Sequence, residues 1–216
     1  MNYIRSYCRI VPGRLLLNGD VYFESTDKQC SAHDFFSAVY ERLGADYRKF
    51  YKMDALSKLG FLASELLMEG FDKEAPKEDV SIILLNRSSS LETDCRYQKT
   101  IQDKNDFFPS PAEFVYTLPN IVTGELAIRN KIYGETAFYV VSDFQADIVS
   151  DTINNTINFA GMKQVLAGWV EVDATSGDFS CLMLLCEAES LSGEVAKNEY
   201  LSTLNPDSLG SLYIKY

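Results

Sequence analysis

The chain has 216 residues, 46% hydrophobic and 24% charged, with a formal net charge of −11. That profile fits a soluble globular protein with a substantial core, and its acidity leaves no basic field to attract nucleic acid. The longest uncharged apolar run, Cys181 to Cys186, is too short to span a bilayer, and Met1-Asn2-Tyr3-Ile4-Arg5 lacks the regions of a signal peptide, so a cytoplasmic location is expected.

Tyr3 to Val11 reads as a first strand, closed by Pro12-Gly13. Leu15–Leu17 and Val21–Phe23 read as a hairpin about Asn18-Gly19-Asp20, because Asn-Gly suits a type I′ turn. From Ser31 to about Lys52 the apolar residues Phe35, Phe36, Val39, Tyr40 and Leu43 recur at helical spacing, with Ser31 and Asp34 as cap residues. Arg42, Arg48, Lys49, Lys52 and Lys58 make the one basic-leaning stretch, read as a solvated helix face, with docking of an acidic carrier protein as the alternative. Met53 to Glu69 is the clearest helix, with Leu56, Leu59, Ala63, Leu66 and Leu67 in one stripe and Gly70 as its stop. Val80 to Leu85 is a continuous apolar run, as expected of a central parallel strand buried on both faces. Residues 86 to 105 are polar and expected to be irregular.

Phe108-Pro109-Ser110-Pro111 is expected to be rigid and extended, since each proline fixes its own φ and restricts the residue before it. Pro119 suits the first turn of a helix. Ile121, Val122, Leu126 and Ile128 form the partly buried side of that helix, with Glu125 and Arg129 as an i,i+4 pair on the wet side. Gly134 ends the next turn, and Ala137 to Val141 reads as a short buried strand. Ser142-Asp143 sits where the next helix should be capped. Ile148, Val149, Ile153, Ile157 and Ala160 are the stripe of that helix, which ends near Gly161. Gln164–Val172 and Ser180–Glu187 are two further strands joined by a turn over 173–178. Ser190 to Tyr216 reads as a tail packed on the surface. Strands alternating with helices predict an α/β domain whose mostly parallel sheet is covered on both faces.

Few residues suggest chemistry. The five cysteines, Cys8, Cys30, Cys95, Cys181 and Cys186, show no C-x-x-C spacing, and His33 is the single histidine. Buried, reduced thiols are expected, with no metal site and no cofactor. The carboxylate pairs Glu187/Glu189 and Asp103/Asp106 read as solvated. No Walker loop, G-x-G-x-x-G or H-E-x-x-H is present to support nucleotide or metalloprotease chemistry.

Several stretches together resemble the β-ketoacyl synthase (3-oxoacyl-ACP synthase) family of thiolase-like enzymes. They are Pro111-Ala112-Glu113-Phe114, Tyr116-Thr117-Leu118-Pro119-Asn120, Ala127-Ile128 and Gly134-Glu135, supported by Asp54 to Ala63, Ser88-Ser89-Ser90 and Ala167-Gly168-Trp169. The resemblance spans residues 4 to 188. It implies one half of the thiolase-like fold, over residues 1–189, with a mostly parallel five-stranded sheet and a C-terminal extension over 190–216. It also implies a nucleophilic cysteine about nine residues after Gly134. Asp143 stands there, between Ser142 and Phe144, and there is no cysteine between Cys95 and Cys181.

A condensing enzyme needs a thiolate to hold the acyl chain and imidazoles to stabilise the developing negative charge. A carboxylate such as Asp143 would give a labile anhydride, and Ser142 would need an activating base. The resemblance therefore implies a non-catalytic subunit like a chain length factor, in a fatty-acid or polyketide-type pathway. It would form a homodimer, or a heterodimer with a full-length ketosynthase. Its role would be to shape an acyl tunnel and dimer edge with Asn120, Gly124, Phe138, Tyr139, Val140, Val141 and Phe144. The family's strand before the nucleophile pairs with its twin across a twofold axis, so this edge is expected to need cover. Two alternatives stand: an enzyme of acyl transfer or hydrolysis using Ser142 or Asp143, and a module that binds acyl carrier protein.

Overall fold

The computed structural model describes residues 1–27, 30–105, 107–188 and 200–214. Its strands are β1 (Tyr3–Val11), β2 (Arg14–Leu17), β3 (Asp20–Glu24), β4 (Val80–Asn86), β5 (Thr136–Val140), β6 (Gln164–Val172), β7 (Phe179–Glu187) and β8 (Ser202–Thr203). They form one sheet in the order β3-β2-β1-β7-β6-β4-β5, with β8 paired to β1. The α/β class is as expected, but the sheet has eight strands among the described residues rather than five. Among these strands, parallel pairing is confined to β4 with its neighbours β5 and β6. The other pairings, β6–β7, β7–β1, β1–β2, β2–β3 and β1–β8, are antiparallel. The reason lies in the connections: β6 and β7 are joined by a short turn closed by the Asp173 N–H to Asp178 carbonyl bond of 2.8 Å, which only an antiparallel pair permits.

Helices cover both faces. α1 (Ala32–Leu43) starts at Ser31, whose hydroxyl oxygen accepts from the Asp34 N–H, and ends at Gly44 with φ 62°. The helical pattern expected to run to Lys52 breaks at this glycine and resumes as a 3₁₀ turn over Arg48–Lys52. α2 (Ala55–Leu67) is capped by Asp54, which accepts from the Ser57 N–H. α3 (Leu91–Ile101) replaces the irregular segment expected there. Only Thr93 on it is buried, so no apolar stripe marks it; Glu92 and Asp94 at its positive end, and a Glu92–Arg96 pair at 3.4 Å, favour it instead. α4 (Pro111–Val115) is a short helix that follows the proline-rich entry, with Ser110 still extended and capping it by accepting from the Glu113 N–H. α5 (Ile121–Asn130), α6 (Ala146–Ala160) and α7 (Pro206–Ile214) complete the set.

The two core clusters lie on opposite faces of the sheet. Phe35, Phe36, Phe50, Phe61 and Leu62 join Leu84, Val170 and Met183 on the face covered by α1, α2 and α5. Ile153, Leu204 and Leu209 join Leu85, Trp169 and Leu184 on the face covered by α6 and α7. Each such side chain stabilises the fold by about 1.5–3 kcal/mol when fully buried. The C-terminal stretch is therefore part of the core as well as a surface cover. The expected boundary at residue 190 lies outside the described residues.

Several polar groups inside this frame are matched. Lys77 is 8% exposed, and its ammonium donates to the carbonyls of Asp72 (2.6 Å), Ala75 (2.9 Å) and Asn130 (2.8 Å), closing the end of α5. Glu187, expected to be solvated, is buried and paired with Arg5 at 2.6 Å; its expected neighbour Glu189 lies outside the described residues, as does Asp106. Cys8, Cys181 and Cys186 are buried free thiols, whereas Cys95 is exposed and Cys30 half-buried.

Gly168 shows why the Ala167-Gly168-Trp169 strand needs its glycine. Its φ is +147°, and a Cβ there would lie 2.0 Å from the Leu182 carbonyl oxygen. Gly168→Ala should therefore cost about 3 kcal/mol or more. The urea midpoint should fall with an unchanged m-value; an unshifted midpoint would show that the β6–β7 pair can yield at this point.

Candidate functional site at the carboxyl ends of the parallel strands

β5, β4 and β6 run in parallel, so their carboxyl ends deliver three segments to one end of the sheet: residues 141–145, 87–90 and 173–178. β4 is buried along its whole length. The loop after it is held from within by Asn86, whose amide donates to the Ser89 carbonyl (2.8 Å) and whose side-chain oxygen accepts from the Ser89 N–H (2.9 Å). Ser89 adopts φ 54°, the left-handed region that this tight turn requires. The Val141 N–H donates to the Asn86 carbonyl (2.8 Å), which ties the end of β5 to the same residue. Ser90 donates to the Thr117 carbonyl (2.7 Å) and so links α3 to the segment before α5.

The turn between β5 and α6 holds the residues at the expected nucleophile position. Ser142 and Asp143 are both exposed. Neither caps α6. The helix starts at Ala146 with Gln145 as its N-cap, and the Gln145 side chain makes no capping bond. Gln145 instead reaches back, its amide donating to the Ser142 hydroxyl oxygen at 3.2 Å. The capping expected of Ser142-Asp143 fails because the chain stays extended for two more residues. His33 lies at the start of α1, exposed, with Nδ1 3.4 Å from Asp34. It gives Ser142 no base.

The seven residues expected to line a tunnel and dimer edge divide among several places. Asn120 precedes α5 and is exposed; its carbonyl accepts from the Thr123 hydroxyl (2.8 Å) and the Gly124 N–H (3.2 Å). Gly124 lies on α5 with open space where a Cβ would point. Phe138 packs against the core cluster under α2 and α5, while Val141 and Phe144 pack against the opposite one. Phe144 meets Trp169 edge-on at 6.1 Å and stacks on Tyr213 of α7 at 3.9 Å, and the Arg9 guanidinium lies 4.6 Å from the Tyr213 ring. Tyr139 and Val140 are 45% and 54% exposed. β5, expected to be buried, is thus a half-open outer strand, paired only with β4 among the described residues.

A charged network runs beside α2 and α5. Glu125 and Arg129 do not pair with each other. Glu125 is buried, accepts from the Tyr116 hydroxyl (3.1 Å) and faces Lys49 at 2.8 Å. Burial, with Glu125 beside it, pushes the Tyr116 hydroxyl pKa well up. Arg129 turns to Glu65 through two bonds of 2.9 Å. Tertiary partners outcompeted the i,i+4 pairing because both residues sit against α2 and its neighbours rather than in water. Of the basic-leaning stretch, Arg42, Arg48, Lys49 and Lys52 are exposed and Lys58 is half-buried. Asp54 accepts from the Ser57 N–H and the Thr93 hydroxyl, each at 2.9 Å. Burial raises its carboxyl above the ordinary carboxylate value, against those two hydrogen bonds.

With this sheet and its helices, the chain has the fold of ketosynthases and chain length factors. The ishigamide ketosynthase/chain length factor superimposes with a TM-score of 0.60 at 16% identity, over 88% of this chain and 62% of that one. A ketosynthase in complex with its chain length factor from Xenorhabdus doucetiae gives 0.54 at 15% identity, over 86% and 79%. A type II polyketide synthase acyl-carrier protein in complex with its ketosynthase gives 0.57 at 13% identity, over 88% and 63%. The chain thus spans about three fifths of the length of the first and third of these. No protein-family model and no curated protein matches the sequence. No helix among the described residues is long and apolar enough to cross a membrane, and no group of three or more metal-ligating side chains is present among them.

Glu171 and Asn86 organise the loop after β4, and each carries a faint trace in the sequence. Glu171 is a lone acid inside the apolar run Gly168-Trp169-Val170-Glu171-Val172, and Asn86 ends the apolar run of β4.

Two outcomes follow. Ser142→Ala and Asp143→Asn should each change stability by less than about 0.5 kcal/mol, since neither side chain caps a helix; a loss above about 1 kcal/mol would restore the capping role. For Asp54 the raised folded-state pKa means that its favourable contribution is complete below the ordinary carboxylate value and is lost as pH rises through the raised one. Asp54→Asn cannot ionise. Relative to the native protein, its urea midpoint should therefore improve as pH climbs from about 4 to about 7. A gap that stays constant over that range would contradict the shift.

Proposed function

We propose that this chain is a ketosynthase-like subunit without an acyl-accepting nucleophile, which pairs through the outer edge of β5 with a ketosynthase and helps shape the acyl site there. The observation that carries the reading is the edge itself. β5 offers an unpaired row of backbone groups among the described residues and exposes Tyr139 and Val140 beside them. Nine of the fifteen exposed large apolar side chains among the described residues fall between Phe107 and Val140, the segment that leads into and through this strand. An open apolar edge invites another strand, and a specific partner is the usual resolution. The likeness to ketosynthase and chain-length-factor complexes supports the same kind of partner.

The turn supports a role without its own condensation chemistry. Asp143 stands exposed at the position where the family resemblance implies a thiolate, and neither cysteine nor histidine lies in the turn. Phe138, Val141 and Phe144 would then act as tunnel and packing residues, with Asn120 and Gly124 facing the same partner from α5. Acyl carrier protein would reach the complex through the ketosynthase.

Native mass spectrometry of the tagged chain isolated from its own cells tests the reading. The expected result is a complex that contains a ketosynthase with its own cysteine and histidines. Val140→Lys, which places a charge on the open edge, should release that partner without unfolding the chain. Recovery as a monomer, or a complex indifferent to Val140→Lys, would overturn the β5 pairing. A homodimer alone would replace the ketosynthase by a second copy.

A further inference from the structure

Glu171, at the carboxyl end of β6, has a feature that the reading above leaves unused. It is 6% exposed. Its Oε2 accepts from the backbone N–H of Arg87 (2.7 Å) and of Ser88 (3.2 Å). Its other oxygen, Oε1, has no hydrogen-bond partner among the described residues. The side chain lines a cleft of about 250 Å³ together with Arg87, Asp173, Ser176, Asp178 and Ser180. Ser180 stands opposite Glu171 in the β6–β7 register, so the two side chains leave the sheet on the same side.

The chemistry of the missing partner follows from the atoms present. A carboxylate oxygen only accepts, so what meets Oε1 must donate. A buried charged oxygen left without a donor is costly, so the arrangement favours one that supplies N–H groups. Three carboxylates face one guanidinium around the cleft, which leaves it net acidic. Asp173 is already engaged. Its Oδ1 accepts from the N–H groups of Thr175 and Ser176 at 2.8 Å and from the Ser176 hydroxyl at 3.2 Å, and its Oδ2 lies 3.3 Å from Arg87. Glu171 and Asp178 are left to receive a cation. No group of three or more metal-ligating side chains occurs among the described residues, and an N–H cation offers the donors that Oε1 lacks. The position agrees with the habit of open α/β sheets, which take ligands in the crevice outside the carboxyl ends of their strands.

We propose that this cleft binds a small organic cation with a primary ammonium or guanidinium group, which donates to Glu171 Oε1 and is flanked by Asp178 and the Ser180 hydroxyl. The site is independent of the β5 edge, so its failure would leave the partner reading intact, and the reverse.

Isothermal titration calorimetry of the full chain with agmatine, butane-1,4-diamine and butan-1-ol tests it. Both amines should bind saturably and the neutral alcohol should not. Glu171→Gln keeps an oxygen for the Arg87 and Ser88 N–H groups but turns the free atom from acceptor into donor. It should weaken agmatine by about tenfold or more. Asp178→Asn, at an exposed position, should weaken it about threefold, and raising NaCl from about 20 to about 300 mM should weaken the native complex further. If Glu171→Gln does not fold, Asp178→Asn and the salt series carry the test. Nα-acetyl-lysine N-methylamide serves as a second arm: tighter binding than agmatine would assign the same ammonium chemistry to a protein side chain. A flat titration up to about 20 mM amine, equal affinity in the native chain and both variants, or butan-1-ol binding as well as the amines would overturn the proposal.

Discussion

β4 has no exposed residue, and it lies between two parallel neighbours with helices on both faces. The chain that leaves its carboxyl end must therefore satisfy its backbone inside the protein, where water does not compensate a missing hydrogen bond. Asn86 does this for Ser89 and Val141, and Glu171 does it for Arg87 and Ser88. Asn86, through its side chain and its backbone carbonyl, and Glu171, through its carboxylate, hold the end of the sheet at which the β5–α6 turn and the serine loop meet. Without them the N–H groups of Arg87, Ser88 and Ser89 would lose these partners.

That constraint explains which parts of the fold were legible in the sequence. Burial on both faces forces an unbroken apolar run, so β4 could be read directly, as could the stripe of α2 and the Asn18-Gly19 turn, whose residues take φ 54° and 96°. α3 could not be read, because a helix that buries only Thr93 carries no periodic apolar signal. The direction of the strands was misread for a different reason. Alternation of strands and helices suggests parallel pairing, but β1 finds its partner in β7, more than 170 residues away along the chain. Such long-range pairing is set by the whole core rather than by any local pattern.

Side-chain partnership was the least legible level. Glu125 and Arg129 stand at helical i,i+4 spacing, yet one bonds Tyr116 and Lys49 and the other Glu65. A surface i,i+4 pair contributes only about 0.2–0.5 kcal/mol, so a better-buried alternative displaces it easily. The same limit applied at the turn after β5. Ser142 and Asp143 have the composition of a helix cap, but the geometry gives that position to Gln145, which carries no capping bond at all. Composition marks where a cap would serve; the path of the chain decides which residue stands there.

The separation between the turn and the outer strand bears on the proposed role. Pairing along β5 rests on backbone N–H and C=O groups, which every residue of a strand supplies whatever its side chain. Condensation rests on one nucleophile and on groups that hold developing charge, and changing a single side chain removes it. A chain can thus place an exposed aspartate at its turn and keep its open edge, because no side chain serves both ends of the problem. Phe144 joins the turn to the core through Trp169 and Tyr213, so the turn stays ordered by packing rather than by a catalytic network. The turn is thus held by packing, and β5 remains the open outer strand of the described sheet, the edge to which the proposed partner is assigned.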